Sequence, residues 1–410
     1  MFIYIAFKIH TRVLWKIHHK LLNSAFSQHV LNTYLNEMDA QAQNLVSQLT
    51  TVAEKGPVNI TEFLIQYVLR TICRKFMKLK YLEEKIITSL RLEAKDQDMI
   101  DNEYAKAIEE IEAILVRRLL NPILHFSFLF DRTAMYKRQL KLSQNNKKLL
   151  DPVIIQKRKS DLIATKRTVN DNDDSVPGKG KFKPALDLLL QLPDEKYVLS
   201  DDEIMAHLNT FVAASFDTTS AVIQNVLLVL GSHPEIQERV YNERIQDVLK
   251  NRDRLTKHDI TKLVYLDAVI KEVLRVYNIV PLIARKIDTD IVLRKYVISA
   301  KYTLRAGSSC IMSIYGLHRH SSWGPDAKQF KPERWLNPAT LPTNPNVYAA
   351  FGIGKRMCIG GKQYSMMSMK TSLVHILRKF RVSADMSNLK WEFEITLKVK
   401  NPFINLTLRS

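Results

Sequence analysis

The chain of 410 residues has few cysteines, little glycine or proline, and no long apolar run. Three cysteines, Cys73, Cys310 and Cys358, are too few for a disulfide framework and fit a reducing compartment. Eleven glycines and 14 prolines exclude collagen-like and low-complexity classes. No apolar run reaches the ~20 residues that a spanning helix needs. Met1 to Ile9 are apolar but too few, and basic residues follow, so they do not form a complete signal peptide or anchor. No internal repeat, zinc-finger spacing or RNA-binding motif occurs, so nucleic acid is not an expected partner. What is abundant is positive charge: 61 Lys and Arg against 42 Asp and Glu give +19, which suits an anionic membrane surface or an acidic protein partner. With 46% hydrophobic residues the chain can build a large core, as one big domain or two ordinary ones.

Periodicity is helical almost throughout residues 26–150. Ile60, Phe63, Leu64, Tyr67, Val68 and Ile72 recur at three- and four-residue spacings within a predicted helix over 60–79. A second predicted helix, 103–120, stops at Asn121-Pro122 because proline cannot continue it. The stretch 123–130 is unusually apolar for a connection, and is either core or a membrane-facing access loop. Residues 157–184, with mixed charges and Pro177-Gly178-Lys179-Gly180, have little to bury and read as a linker or a surface loop. Ser200 to Glu203 has capping-box spacing and opens a long helix to about Leu230, with Gly231 and Pro234 ending it and starting another. A further helix covers 262–277. Residues 287–315 and Phe393 to Leu408 read as short strands. The class is mainly α with small β-sheets.

The richest segment is Phe351-Gly352-Ile353-Gly354-Lys355-Arg356-Met357-Cys358-Ile359-Gly360, followed by a predicted helix over Gln363 to Phe380. A cysteine just before a helix N-terminus is favoured as thiolate by unpaired N–H groups and the positive dipole end. The glycines allow the backbone to approach something flat, and Arg356 offers a guanidinium to a carboxylate. A lone cysteine is commonly a buried structural residue. Here, a thiolate with glycines and an arginine suits haem, which has an axial site and two propionates.

This segment resembles the haem-binding loop of cytochrome P-450s, F-G-x-G-x-R-x-C-x-G, with every fixed position present. The resemblance implies Cys358 as the axial ligand of the haem iron and Arg356 as a propionate partner, with Phe351 part of the cofactor site. Lys271-Glu272-Val273-Leu274-Arg275 and Pro332-Glu333-Arg334-Trp335 are similar to the family's E-x-x-R and P-E-R-F segments. They imply a buried salt-bridge triad of Glu272, Arg275 and Arg334 that braces the cysteine pocket. Ala214-Ser215-Phe216-Asp217-Thr218-Thr219 resembles A-G-x-D-T-T, giving Asp217 and Thr218 the proton-relay role in catalysis. Ser215 replaces the glycine that loosens this helix. Ala214 stands where related fatty-acid hydroxylases carry a glutamate that bonds to haem, which implies non-covalent haem b. Trp15 to Leu22 resembles the family's W-x-x-x-R helix, so Trp15 and His19 are expected at a propionate, with His19 in place of arginine as a titratable partner. Arg285 matches another propionate-binding arginine, and Asn278 occupies a place often held by proline.

The matches run in family order from Trp15 to the C-terminus and are closest to the microsomal, fatty-acid-hydroxylase-like family 4 clan, of insect type. The resemblance implies a cytochrome P-450 fold over 1–410 as a single domain, with 157–184 a surface loop and 121–131 the apolar access loop. It is expected to be incomplete: only residues 1–14 precede Trp15, where the family has an N-terminal anchor, first sheet and first helices. The implied activity is insertion of one oxygen atom from O2 into a lipophilic substrate (fatty acid, hormone or xenobiotic). Electrons come from NADPH through an NADPH-cytochrome reductase, or from cytochrome b5, docked near Lys16, Lys20, Lys355 and Lys362. The implied location is the cytoplasmic face of the endoplasmic reticulum membrane, by peripheral contact. The alternative is a non-catalytic haem-binding protein or gas sensor. His19, Ser215 and the short front end favour that alternative, and the intact Asp217-Thr218 pair opposes it.

Overall fold

The computed structural model describes residues 19, 23, 26, 28–72, 94–149, 200–245, 254–293 and 302–409. In chain order the principal elements are helix α1 (Gln28–Thr50), strand β1 (Val58–Asn59), α2 (Thr61–Thr71), α3 (Ala94–Leu120), α4 (Ala134–Leu149), α5 (Asp201–Ser232) and α6 (Pro234–Val240). They continue with α7 (Val264–Val276), β2 (Leu282–Lys286), β3 (Ile291–Leu293), β4 (Tyr302–Leu304), β5 (Ser309–Ser313) and α8 (Gly361–Lys379). The last strands are β6 (Phe380–Ser383), β7 (Lys390–Glu394), β8 (Thr396–Lys400) and β9 (Phe403–Leu408). The 157–184 segment, Trp15, Lys16, Lys20, Cys73 and the predicted helical residues beyond Ile72 lie outside the described residues.

Two compact units divide the chain, one of residues 1–267 and 359–410, the other of 268–358. In the larger unit α8 runs along α1. Met369, Leu373, Val374, Ile376 and Leu377 of α8 and Leu31, Tyr34, Met38, Leu45 and Leu49 of α1 are almost fully buried, each large side chain contributing roughly 1.5–3 kcal/mol. Helix α5 packs on α2 and β6. It opens with the capping box: Ser200 Oγ accepts from Glu203 N at 3.3 Å, and Ser200 N donates to Glu203 Oε2 at 2.9 Å. Against the expectation that no run suffices, this helix alone among the described residues is long and apolar enough to cross a membrane, because its few polar residues are spread along 32 positions; 72% of its apolar window is buried within the protein. β1, β9 and β6 form one antiparallel sheet in that order, and β7–β8 is a hairpin. Strand β1 was hidden in the helical pattern because it is two residues paired to Ile404 and Phe403 at the far end of the chain.

The smaller unit carries the inner turns of α7 and two antiparallel pairs, β2–β5 and β3–β4. The strands begin at Leu282 rather than 287, because the Pro281 carbonyl accepts from Ile314 N and Tyr315 N and starts the pairing there.

The helix over 103–120 starts earlier, at Ala94, and ends where expected, with Asn121 Oδ1 accepting from Ile123 N at 3.1 Å. The following apolar stretch is not core. Ile123 (64%), Phe126 (59%) and Phe128 (60%) are exposed, while Phe130 alone turns inward.

Candidate active site

The cysteine loop lies in the smaller unit and is held by its own backbone. Gly352 N donates to Ala349 O (2.9 Å), Met357 N to Gly354 O (3.2 Å) and Cys358 N to Phe351 O (2.9 Å). Gly352 (φ +71°) and Gly354 (φ +74°) adopt the left-handed conformation that other residues resist. Space is not the reason at Gly354, where an added Cβ would meet nothing within 4 Å, so the backbone angle itself selects glycine. Cys358 is exposed, is not disulfide-bonded and precedes α8 by two residues. Ile353 and Met357 are also exposed and Phe351 is half-buried.

Two guanidiniums converge on this loop. Arg285, paired with Cys310 across β2–β5, sends Nη2 toward the Arg356 carbonyl at 3.4 Å. The Arg356 guanidinium is lowered from its ordinary pKa, first by partial desolvation and then by the Arg285 charge, with Asp288 opposing. Among the described residues no cluster of three or more His, Cys, Asp and Glu side chains could hold a metal ion. An exposed thiol in a glycine-built loop, with the guanidiniums of Arg285 and Arg356 at the same loop, fits a macrocycle that carries two carboxylates, as haem does.

The brace is built on α7. Glu272 and Arg275, one turn apart, are both fully buried, and Arg334 is nearly so. Glu272 Oε1 accepts from Arg275 Nη2 (2.7 Å), Arg334 Nε (2.9 Å) and the Lys331 backbone N–H (3.0 Å). Glu272 Oε2 accepts from Arg275 Nε and from Trp335 Nε1, each at 2.9 Å. Every lone-pair direction of the carboxylate is met, the condition for a buried charge to persist. Arg275 also donates to the carbonyls of His318, Ala327 and Gln329.

His318 carries the brace to the loop. Its ring stacks on Tyr348 at 5.4 Å, its Nε2 accepts from Ala349 N at 3.0 Å, and the Asn278 side-chain amide meets Nδ1 at 3.1 Å. Ala349 O then holds Gly352 N. Burial pushes the His318 pKa down to about 4, so the ring stays neutral and keeps an acceptor for Ala349. Sequence reasoning missed His318 and the Trp335 bond. The signals were Trp335 in place of the family's phenylalanine and Asn278 in place of proline.

Of the remaining candidates, the larger unit holds Asp217, Thr218, His19 and Lys362, and the smaller holds Lys355. Thr218 Oγ1 donates to Ala214 O at 2.8 Å, a back-bond within α5. Asp217 is buried and faces the β7–β8 hairpin: Oδ2 accepts from Thr396 Oγ1 at 2.9 Å and Oδ1 lies 2.8 Å from Lys398 Nζ. His19 is half-buried, and its expected companion Trp15 is outside the described residues. Lys355 is exposed and Lys362 lies in the first turn of α8.

A mostly helical chain that presents an exposed cysteine from a glycine loop, with a buried, braced carboxylate in the same unit, has the features of a haem-thiolate protein. A sequence profile of the family described as cytochrome P-450 matches residues 7–405, and the chain belongs to that family. It is a cytochrome P-450 monooxygenase, an oxidoreductase. Relatives come from family 4. Cytochrome P-450 4c21 of Blattella germanica is 30% identical over 90% of this chain and 69% of its own length. Cytochrome P-450 4V2 of Mus musculus is 31% identical over 90% and 67%, and that of Homo sapiens 30% over 94% and 70%. Among solved structures, the cytochrome P-450DA haem domain superposes with a TM-score of 0.71 at 23% identity, covering 96% of this chain and 77% of that one. These structures share the fold.

Proposed function

We propose that this chain inserts one oxygen atom from O2 into a lipophilic substrate, a fatty acid, hormone or xenobiotic, with electrons from NADPH delivered through a reductase. The observation that carries this reading is the Cys358 loop, whose thiol stands at the surface of a backbone turn built by left-handed glycines. Haem b, when bound, supplies the activation of dioxygen. Cys358 would hold the haem iron through its sulfur, since it is exposed on the glycine loop and free of any disulfide. Arg356 and Arg285 would hold the propionates, and Trp15, His19 and Phe351 would complete the cofactor's surroundings. Glu272, Arg275 and Arg334 keep the loop in register through His318. Asp217 and Thr218 hold and pass protons. The haem is non-covalent because Ala214 offers no carboxylate.

The chain acts as one domain, with residues 157–184 a surface loop, on the cytoplasmic face of the endoplasmic reticulum membrane. The exposed apolar residues Ile123, Phe126 and Phe128, together with a net charge of +19, support peripheral contact with an anionic bilayer. Lys355 and Lys362, with Lys16 and Lys20, suit an acidic electron donor such as the reductase or cytochrome b5. The test is turnover of the haem-loaded protein with NADPH, reductase and a panel of fatty acids under ¹⁸O₂. The expected result is a product carrying one labelled oxygen. NADPH consumption across the panel without any labelled product would contradict the assignment.

A further inference from the structure

Around Asp217 the protein gathers more acid than base. Lys398 Nζ on β8 lies 2.8 Å from Asp217 of α5, 3.3 Å from Glu109 and 3.7 Å from Glu112 of α3, and 3.8 Å from Glu394 of β7. Thr396 adds a hydroxyl to Asp217. One ammonium therefore faces four carboxyl groups from three directions, and these are the charged groups the elements packed here present to one another. One ammonium does not balance four carboxylates, which favours a proton on whichever carboxyl is most buried and least partnered.

The geometry identifies which. Glu112 is buried, and its Oε2 has no hydrogen-bond partner among the described residues. Asp217 has both a hydroxyl and the ammonium in contact. Glu109 and Glu394 are each about one third exposed and reach solvent. Burial, then the Asp217 charge, push Glu112 up to about 8, with Lys398 pulling the other way. Lys398 is itself held above its ordinary range: burial works against its charge, and Asp217, Glu109 and Glu112 outweigh that.

We propose that Glu112 is a proton-loading group for Asp217, with Lys398 as the positioning residue that couples them. This rests on the reading of Asp217 and Thr218 as the proton relay. In the step, one proton leaves the Glu112 carboxyl and joins the Asp217 carboxylate. Lys398 shifts its pairing from Asp217 to the newly ionised Glu112, leaving the cluster's total charge unchanged. Solvent restores the Glu112 proton by way of Glu109 and Glu394.

Infrared titration of the haem-loaded protein tests this without turnover. A protonated buried carboxyl is expected at neutral pH, titrating away as pH rises through about 8. It should be missing in Glu112→Gln. Its midpoint should fall in Asp217→Asn, which removes a neighbouring charge, and rise in Lys398→Met. A wild-type protein with no protonated carboxyl at neutral pH overturns the inference, even if no variant folds. So does a band that survives Glu112→Gln.

A second arm uses a straight-chain fatty acid, NADPH and reductase. Glu112→Gln should form roughly 10-fold less product per NADPH, less than the ~10²–10⁴ of a group that transfers directly, with an enlarged solvent isotope effect. If Asp217→Asn stays fully coupled, the relay reading itself falls. If Asp217→Asn uncouples and Glu112→Gln does not, only the present inference falls.

Discussion

Glu272 sits at 0% side-chain exposure and accepts five hydrogen bonds, three on Oε1 and two on Oε2. Removing one charged partner of such a group costs about 3–5 kcal/mol, because the charge left behind is uncompensated. Trp335 contributes the one neutral side-chain donor, so its loss should cost less. Trp335→Phe, which keeps the ring but removes the N–H, is expected to destabilise the protein by about 1.5–3 kcal/mol. The urea unfolding midpoint measures it, and an unchanged midpoint would show that Glu272 does not depend on the indole.

What was legible at this scale followed sequence distance. Glu272 and Arg275 share a helix face at i,i+3, and Phe351 to Gly360 is contiguous, so both could be read directly. Trp335 meets Glu272 across 63 residues and Thr396 meets Asp217 across 179, with no periodicity to announce either. The Lys398 cluster was invisible for the same reason: nothing in a strand pattern says which carboxylates a lysine will meet.

Helices were legible where caps and periodicity agreed. Ser200 to Glu203 forms the capping box, and Asn121-Pro122 ends α3. Strand β1 and the early start of β2 were not, because two or three extended residues carry no period and are set by partners elsewhere. Gly231 shows a requirement beyond punctuation. The sequence marks it as a helix stop, and it does lie one residue from the end of α5. An added Cβ there would stand 2.8 Å from Ala384 N and 2.9 Å from Ala384 Cβ, at the link after β6. Gly231→Ala should therefore lose about 1–3 kcal/mol from the clash, against a gain of up to about 1 kcal/mol from helix propensity. The expected outcome is a lower thermal midpoint; a rise would mean that α5 and β6 separate without cost.

At the scale of the whole molecule, the candidate residues divide between the two units. Residues 268–358 hold Cys358, Arg285, Arg356 and the Glu272 brace, while Asp217 and Thr218 belong to the larger unit. The family and its haem cofactor were legible because the motifs occur in family order. The substrate was not, because a lipophilic pocket is made of scattered apolar side chains that carry no motif.

The central claim is that Cys358 is the thiolate ligand of a haem. It is tested most directly by reducing the haem-loaded protein under carbon monoxide and recording the Soret band, with Cys358→His as the comparison. The account predicts the strongly red-shifted band of a thiolate-ligated carbonyl complex in the wild-type protein and its loss in the variant. A wild-type protein that takes up haem but shows the unshifted band of a nitrogen-ligated complex would contradict it.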